Sequence, residues 1–460
     1  MKPQPRLSNH LQRELSDWRL WSTRALVIVA AAAAGLTVVC FTWMTEQALH
    51  HFFQLQAMAW WAPLLWTPAA TAGVVWLTRR YWPGAAGSGI PQVMAALDEQ
   101  VGEAHRGLFV SLRLTAAKMV LTASGLLAGL SLGREGPSVQ IAAGVMAAAS
   151  RWLPRRSGIN VNSMLVAGGA AGIAAAFNAP LAGVMFAIEE LARSPEHRSS
   201  GLLVAGIVLA GLIGVSVYGN GTYFGVIKVQ QLDWHTLLPG LLVAVGAGLS
   251  GGLFARLLIE SLDAVPRDRF SRFRQARPVL FAGACGLLVA LIGVVSQGAT
   301  FGSGYASTRA MLDETQNVSE LYLLLKFVAT WLTAWSGVPG GIFAPSLAIG
   351  AGLGHDIATL TQHPHATSLI ALGMAGFLAA VTQAPLTAFI IVMEMVDGHA
   401  MVLSLMASAL LASGVSRMVS RPLYATLATL QLGRLPAPPD PDRQLEPLEP
   451  LDPSPGSAAR

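Results

Sequence analysis

Fourteen apolar runs mark out the chain, at about 25–44, 58–78, 108–131, 138–150, 163–176, 180–192, 201–218, 236–260, 278–297, 319–335, 343–354, 368–380, 385–396 and 399–418. Several fall well short of the roughly 20 residues a helix needs to cross a bilayer, and they end at Gly or Pro. A broken apolar segment at membrane depth leaves backbone N–H and C=O groups without partners. It survives only where protein or a cavity encloses it. The expected fold is therefore an all-α polytopic membrane protein built from tilted and broken helices. Composition agrees, with 53% hydrophobic and 12% charged residues against about 25% charged in soluble domains.

The net charge of +5 does not point to nucleic acid, because the basic residues sit between apolar runs. Clusters at Arg79-Arg80, at Arg151, Arg155 and Arg156, at Arg193 and Arg198, and from Arg267 to Arg277 assign those loops to the cytoplasm. Stretches 45–57, 219–235 and 297–318 hold only Lys228 and Arg309 as fixed cations and are assigned outside. Cys40 and Cys285 both lie in apolar runs, so neither a disulfide framework nor a cysteine metal site is expected. The first run is too long for a signal peptide's core and reads as a retained helix.

The chain repeats itself. Phe177-Asn178-Ala179-Pro180-Leu181 returns as Thr382-Gln383-Ala384-Pro385-Leu386, 205 residues later, and Glu189 falls on Glu394 at the same offset. Gly136-Pro137-Ser138 pairs with Ala344-Pro345-Ser346, and Gly87-Ser88-Gly89 with Gly302-Ser303-Gly304. The charge pattern puts Ser88 inside and Ser303 outside, so the halves are expected to be inverted, with binding near the midplane. The divisions are a cytoplasmic segment 1–23, membrane repeats 24–225 and 226–428, and a Pro-rich disordered cytoplasmic tail 429–460.

Four constellations carry chemistry. Gly133-Arg134-Glu135-Gly136-Pro137 places two charges between apolar segments. Pro suits a helix's first turn, so the stretch reads as a buried helix start whose positive end attracts an anion, Glu135 itself included. An interfacial loop is the alternative. Gly87-Ser88-Gly89-Ile90-Pro91 offers a hydroxyl at another helix start, and reads equally as a turn with an N-cap serine. Gly340-Gly341-Ile342-Phe343-Ala344-Pro345 exposes successive backbone N–H groups, or is a small-residue packing loop. Of the adjacent carboxylates Glu189 and Glu190, one can face the interior and carry protons, unless both sit at an interfacial helix end capped by Arg193. Tyr424 fits an aromatic belt or an anion donor.

The three glycine-rich signatures, in this order on an inverted repeat, resemble the CLC family of chloride channels and proton-coupled chloride transporters, over about residues 24 to 425. The resemblance implies a homodimer with one pathway per subunit, in a bacterial inner membrane with both termini cytoplasmic. Its implied partners are chloride, protons and membrane lipid, with no nucleic acid, no metal and no cofactor. By motif, Ser88, Tyr424, the N–H groups of Ile342 and Phe343, and Gly136 form the chloride site. Glu135 matches the gating glutamate and Glu190 the internal proton-transfer glutamate, which favours an antiporter over a passive channel. Gln92 stands where many members carry an acid. An intramembrane serine hydrolase would need a histidine base at depth, and no such Ser–His arrangement is legible.

Overall fold

The structure, a computed structural model, describes residues 18–154, 158–191, 201–219, 224, 234–263, 268–313, 315 and 319–433. Among these the secondary structure is helical, apart from one isolated bridge between Gly133 and Gly341. The first half comprises α1 (Trp18–Met58), α2 (Ala62–Tyr81), α3 (Ile90–Ala96), α4 (Leu112–Leu127), α5 (Glu135–Ala149), α6 (Val161–Phe177), α7 (Pro180–Phe186) and α8 (Gly201–Tyr218). The second runs through α9 (Leu237–Leu262), α10 (Arg269–Ala276), α11 (Pro278–Val295), α12 (Tyr305–Leu312), α13 (Tyr322–Ser336), α14 (Phe343–Thr361), α15 (Ala366–Thr382), α16 (Pro385–Met395), α17 (Val402–Val419) and α18 (Leu423–Leu432). α1 is one continuous helix that takes in residues 18–23 and 45–57, on both flanks of its apolar run.

The boundaries follow from local chemistry. Asn160 accepts a hydrogen bond from the Ser163 N–H at 2.7 Å to open α6, and Pro180, Pro278 and Pro385 occupy first turns. α6 and its repeat counterpart α15 both end on a left-handed residue, Asn178 and Gln383. A short polar side chain tolerates that conformation better than a branched one.

Among the described residues five helical stretches are long and apolar enough to cross a membrane: Trp21–Met58, Gly201–Tyr218, Leu237–Leu262, Pro278–Val295 and His399–Val419. They expose large apolar side chains such as Leu212, Leu249, Leu287 and Met418. The shorter α5, α6 and α15, and the 19-residue α14, are enclosed by protein, the place where helices that start or stop at depth are tolerated. α5 packs on α6, and α14 packs on α15 in the same way. Small residues let these backbones meet: a Cβ on Gly168 would lie 2.7 Å from Ala143 Cα, and Gly350 and Gly373 face each other with no room for one. The chain is thus an integral membrane protein of two inverted repeats.

Candidate functional site

The glycine signatures of both halves meet at the centre. Gly133 N–H donates to Gly341 C=O at 2.7 Å, and Gly341 N–H returns the bond to Gly133 C=O at 2.8 Å. Gly340 N–H donates to Gly87 C=O at 3.0 Å, which ties in the third loop. Lys118 is fully buried and donates to Ala85 C=O at 2.8 Å and to Gly87 C=O at 2.5 Å. Its Nζ therefore pins the strip of backbone just before Ser88. Gly89 adopts φ +106°, where a Cβ would be strained and would also press on Gly136 C=O at 2.8 Å.

These bonds converge on a cavity of about 140 Å³ lined by Ser88, Pro91, Gly340, Ile342 and Tyr424. The Ser88 Oγ and Tyr424 Oη are buried and face each other, yet neither completes a hydrogen bond among the described residues. Two unpaired buried hydroxyls are costly and point to a ligand between them. Ile342 and Phe343 stand at the start of α14, where the first N–H groups have no intrahelical acceptor. The Phe343 ring lies 5.8 Å from that of Tyr424 and is flanked by Phe177 and Phe186 at 6.4 and 6.3 Å. Tyr424 is 1% exposed, which removes the aromatic-belt reading. At Gly136 a Cβ would collide with Ser88 Oγ. Hydroxyls that can turn their O–H inward and helix-start amides, in an apolar shell, make a donor-rich site suited to a small anion.

Glu135 opens α5 at 0% exposure, so the interfacial-loop reading of its motif fails. Its carboxylate faces backbone N–H groups of Arg134, Glu135 and Ala344, yet neither oxygen completes a hydrogen bond. On its other side opens a cavity of about 360 Å³, lined by Thr42, Thr45, Glu46, Arg134, Tyr218 and Ser303 among others. Arg134 Nη1 lies 2.8 Å from Glu46 Oε1 at this mouth. Glu135 lines this larger cavity, stands against the helix starts of both halves and lies within Coulombic reach of Tyr424 in the smaller one.

A sequence profile described as "Voltage gated chloride channel" matches residues 70–417. The chain belongs to that family. It is 31% identical over 450 residues to the H(+)/Cl(-) exchange transporter ClcA of Citrobacter koseri, covering 92% of this chain and 91% of that one. It is 30% identical over 433 residues to the ClcA of Salmonella typhimurium, covering 89% and 88%. Two solved structures share the fold. A slow cyanobacterial Cl-/H+ antiporter gives a TM-score of 0.77 at 24% identity over 90% of this chain and 98% of that one. A CLC-type fluoride/proton antiporter gives 0.73 at 22%, over 90% and 99%.

In this chloride channel family chain the two adjacent acids part company. Glu189 and Glu190 sit in a π-turn, Ala187–Leu191, that continues α7. Glu190 lies within Coulombic reach of the Tyr424 hydroxyl. Glu189 instead accepts hydrogen bonds from Leu386 and Thr387 N–H at 3.0 and 2.6 Å. Arg193, the cap expected for the pair, lies outside the described residues. Sequence reasoning passed over Lys118 and Lys326. Each is a lone lysine in an apolar run, and they stand 208 residues apart, the offset that relates Gly136 to Ala344. Gln140 was also passed over, and donates to Phe109 C=O at 2.7 Å and Gly84 C=O at 3.1 Å. Gln92, the departure from the family pattern, donates to Ala86 C=O at 2.5 Å and helps hold the Ser88 loop.

Proposed function

We propose that this protein exchanges chloride for protons across the membrane. Ser88, Tyr424, the Ile342 and Phe343 N–H groups and the backbone at Gly136 bind chloride, Glu135 is the gate, and Glu190 is the inner proton carrier. The observation that carries the reading is the pair of unpaired, buried hydroxyls of Ser88 and Tyr424 beside a buried carboxylate without a completed hydrogen bond. The ClcA likeness supports antiport over passive conduction.

The mechanism follows from charge. An ionised Glu135 carboxylate occupies the same helix-start field that an anion needs, so carboxylate and chloride compete for it. Protonation cancels that charge, frees the site, and carries one proton with the movement of the side chain. Glu190 collects protons on the side of the smaller cavity and passes them toward Glu135. The shell between them is largely apolar, holding Phe177, Phe186 and Phe343, so transient water must bridge the gap. The protein acts as a transporter and not an enzyme. It works as a homodimer in a bacterial inner membrane, with repeats 24–225 and 226–428 and cytoplasmic termini.

The test is reconstitution in liposomes with crossed chloride and pH gradients. A reversal potential that depends on both gradients is expected. Glu135→Gln, a neutral amide that cannot carry a proton, should keep chloride flux and lose proton coupling. Undiminished chloride-driven proton pumping by that variant would overturn the assignment of Glu135. A wild type that moves no protons would make the protein a passive channel.

A further inference from the structure

The helices α7 and α16 both begin without a cap of their own. Their N-cap positions are Ala179 and Ala384, each followed by proline, and neither alanine can accept the N–H groups of the first turn. Each start is met from the opposite half. Glu394, near the end of α16, accepts Leu181 N–H at 3.2 Å and Ala182 N–H at 2.7 Å. Glu189, in the turn after α7, accepts Leu386 and Thr387 N–H at the start of α16. The helices therefore lie antiparallel, and the two carboxylates, equivalent in the repeat, exchange places.

This exchange bears on Glu190, and its consequence rests on the proposal that Glu190 is the inner proton carrier. The segment from Pro180 to Leu191 is held at its start by Glu394 and near its end by Glu189, and Glu190 is the next residue along. A π-turn admits an extra residue into the helical winding, a feature that often marks functional sites. Here it lets Glu189 reach α16 while Glu190 stays within Coulombic range of Tyr424. We propose that Glu189 and Glu394 are positioning residues, a reciprocal carboxylate clamp by which the second half fixes where Glu190 stands. Neither carries the transported proton. Their amide partners, Leu181, Ala182, Leu386 and Thr387, do not line the Ser88 cavity, so the clamp acts on proton transfer and spares chloride permeation.

The test compares proton and chloride fluxes recorded together from the reconstituted full chain. Glu394→Gln keeps one acceptor oxygen but loses the charge and the second acceptor. The expected result is a fall of about tenfold in protons moved per chloride, since displacements near 1 Å cost up to about 10²-fold, with chloride flux within about twofold of wild type. Glu394→Asp keeps the charge but falls short by one carbon, and should shift the ratio in the same direction by less. It also serves if the glutamine variant does not assemble. Hydrogen exchange at Leu181 and Ala182 should accelerate in both variants. A wild-type ratio in both Glu394 variants, or an equal fall in both fluxes, would overturn the clamp while Glu190→Gln remains uncoupled. Wild-type coupling in Glu190→Gln would instead overturn the reading of Glu190.

Discussion

Lys118 shows how a single buried lysine can shape the proposed anion site from behind the loop that lines it. Its Nζ is spent on Ala85 and Gly87 carbonyls, and this orients the loop so that Ser88 Oγ and the helix-start amides face the cavity. Lys118→Met would leave both carbonyls buried without that donor, at about 1–3 kcal/mol each. The expected outcome is a chloride affinity lowered about tenfold or more, read by titration calorimetry, since tenfold corresponds to about 1.4 kcal/mol. Lys326 is its repeat counterpart and donates to Thr300 and Gly302 C=O at 3.0 and 2.8 Å. Lys326→Met should lower the melting temperature to a similar degree yet leave chloride affinity unchanged, because the loop it holds does not line the Ser88 cavity. Equal losses of chloride affinity in both variants would refute this division of roles.

At the scale of elements, two helices start inside the protein and point their first turns at the centre. α5 and α14 begin there, and small residues behind them allow α6 and α15 to close in. Gly136→Ala adds a methyl that meets Ser88 Oγ and lies 3.3 Å from Gly341 Cα. The variant should fold, since overpacking costs about 1–3 kcal/mol, but should bind chloride more weakly. Unchanged affinity would mean that Ser88 does not contribute to the site. Gly373→Leu belongs to the same class with a different readout. Its side chain meets the Gly350 carbonyl, so the α14–α15 contact opens and the yield of folded, detergent-stable protein should drop sharply.

For the whole molecule, inversion makes the two halves answer to opposite sides of the membrane. Ser88 lines the smaller cavity, and Ser303 and Glu135 line the larger one. Ser88→Cys should react with a membrane-impermeant thiol reagent only from the cytoplasm, and Ser303→Cys only from outside. Cys285 is buried, and exposed Cys40 should be replaced first to clear the background. Labelling of both cysteines from one side would contradict the inverted arrangement.

Length, polarity and repetition are local or periodic properties, and for that reason the membrane class, the broken helices and the inverted repeat were legible in the residues alone. Gly, Pro and charge at fixed offsets marked Glu135, Ser88 and the Gly340–Phe343 loop, because helix starts need those residue types nearby in the chain. Contacts across the molecule left no such mark. Tyr424 read equally as a belt residue until its ring was found buried against Phe343, more than eighty residues away in sequence. The Gly133–Gly341 bridge, the grip of Lys118 on the Ser88 loop, and the exchange of caps between Glu189 and Glu394 were decided by the tertiary structure alone. Their hydrogen bonds join groups whose separation in the chain says nothing about their separation in space. A buried polar atom finds whichever partner the packing brings to it.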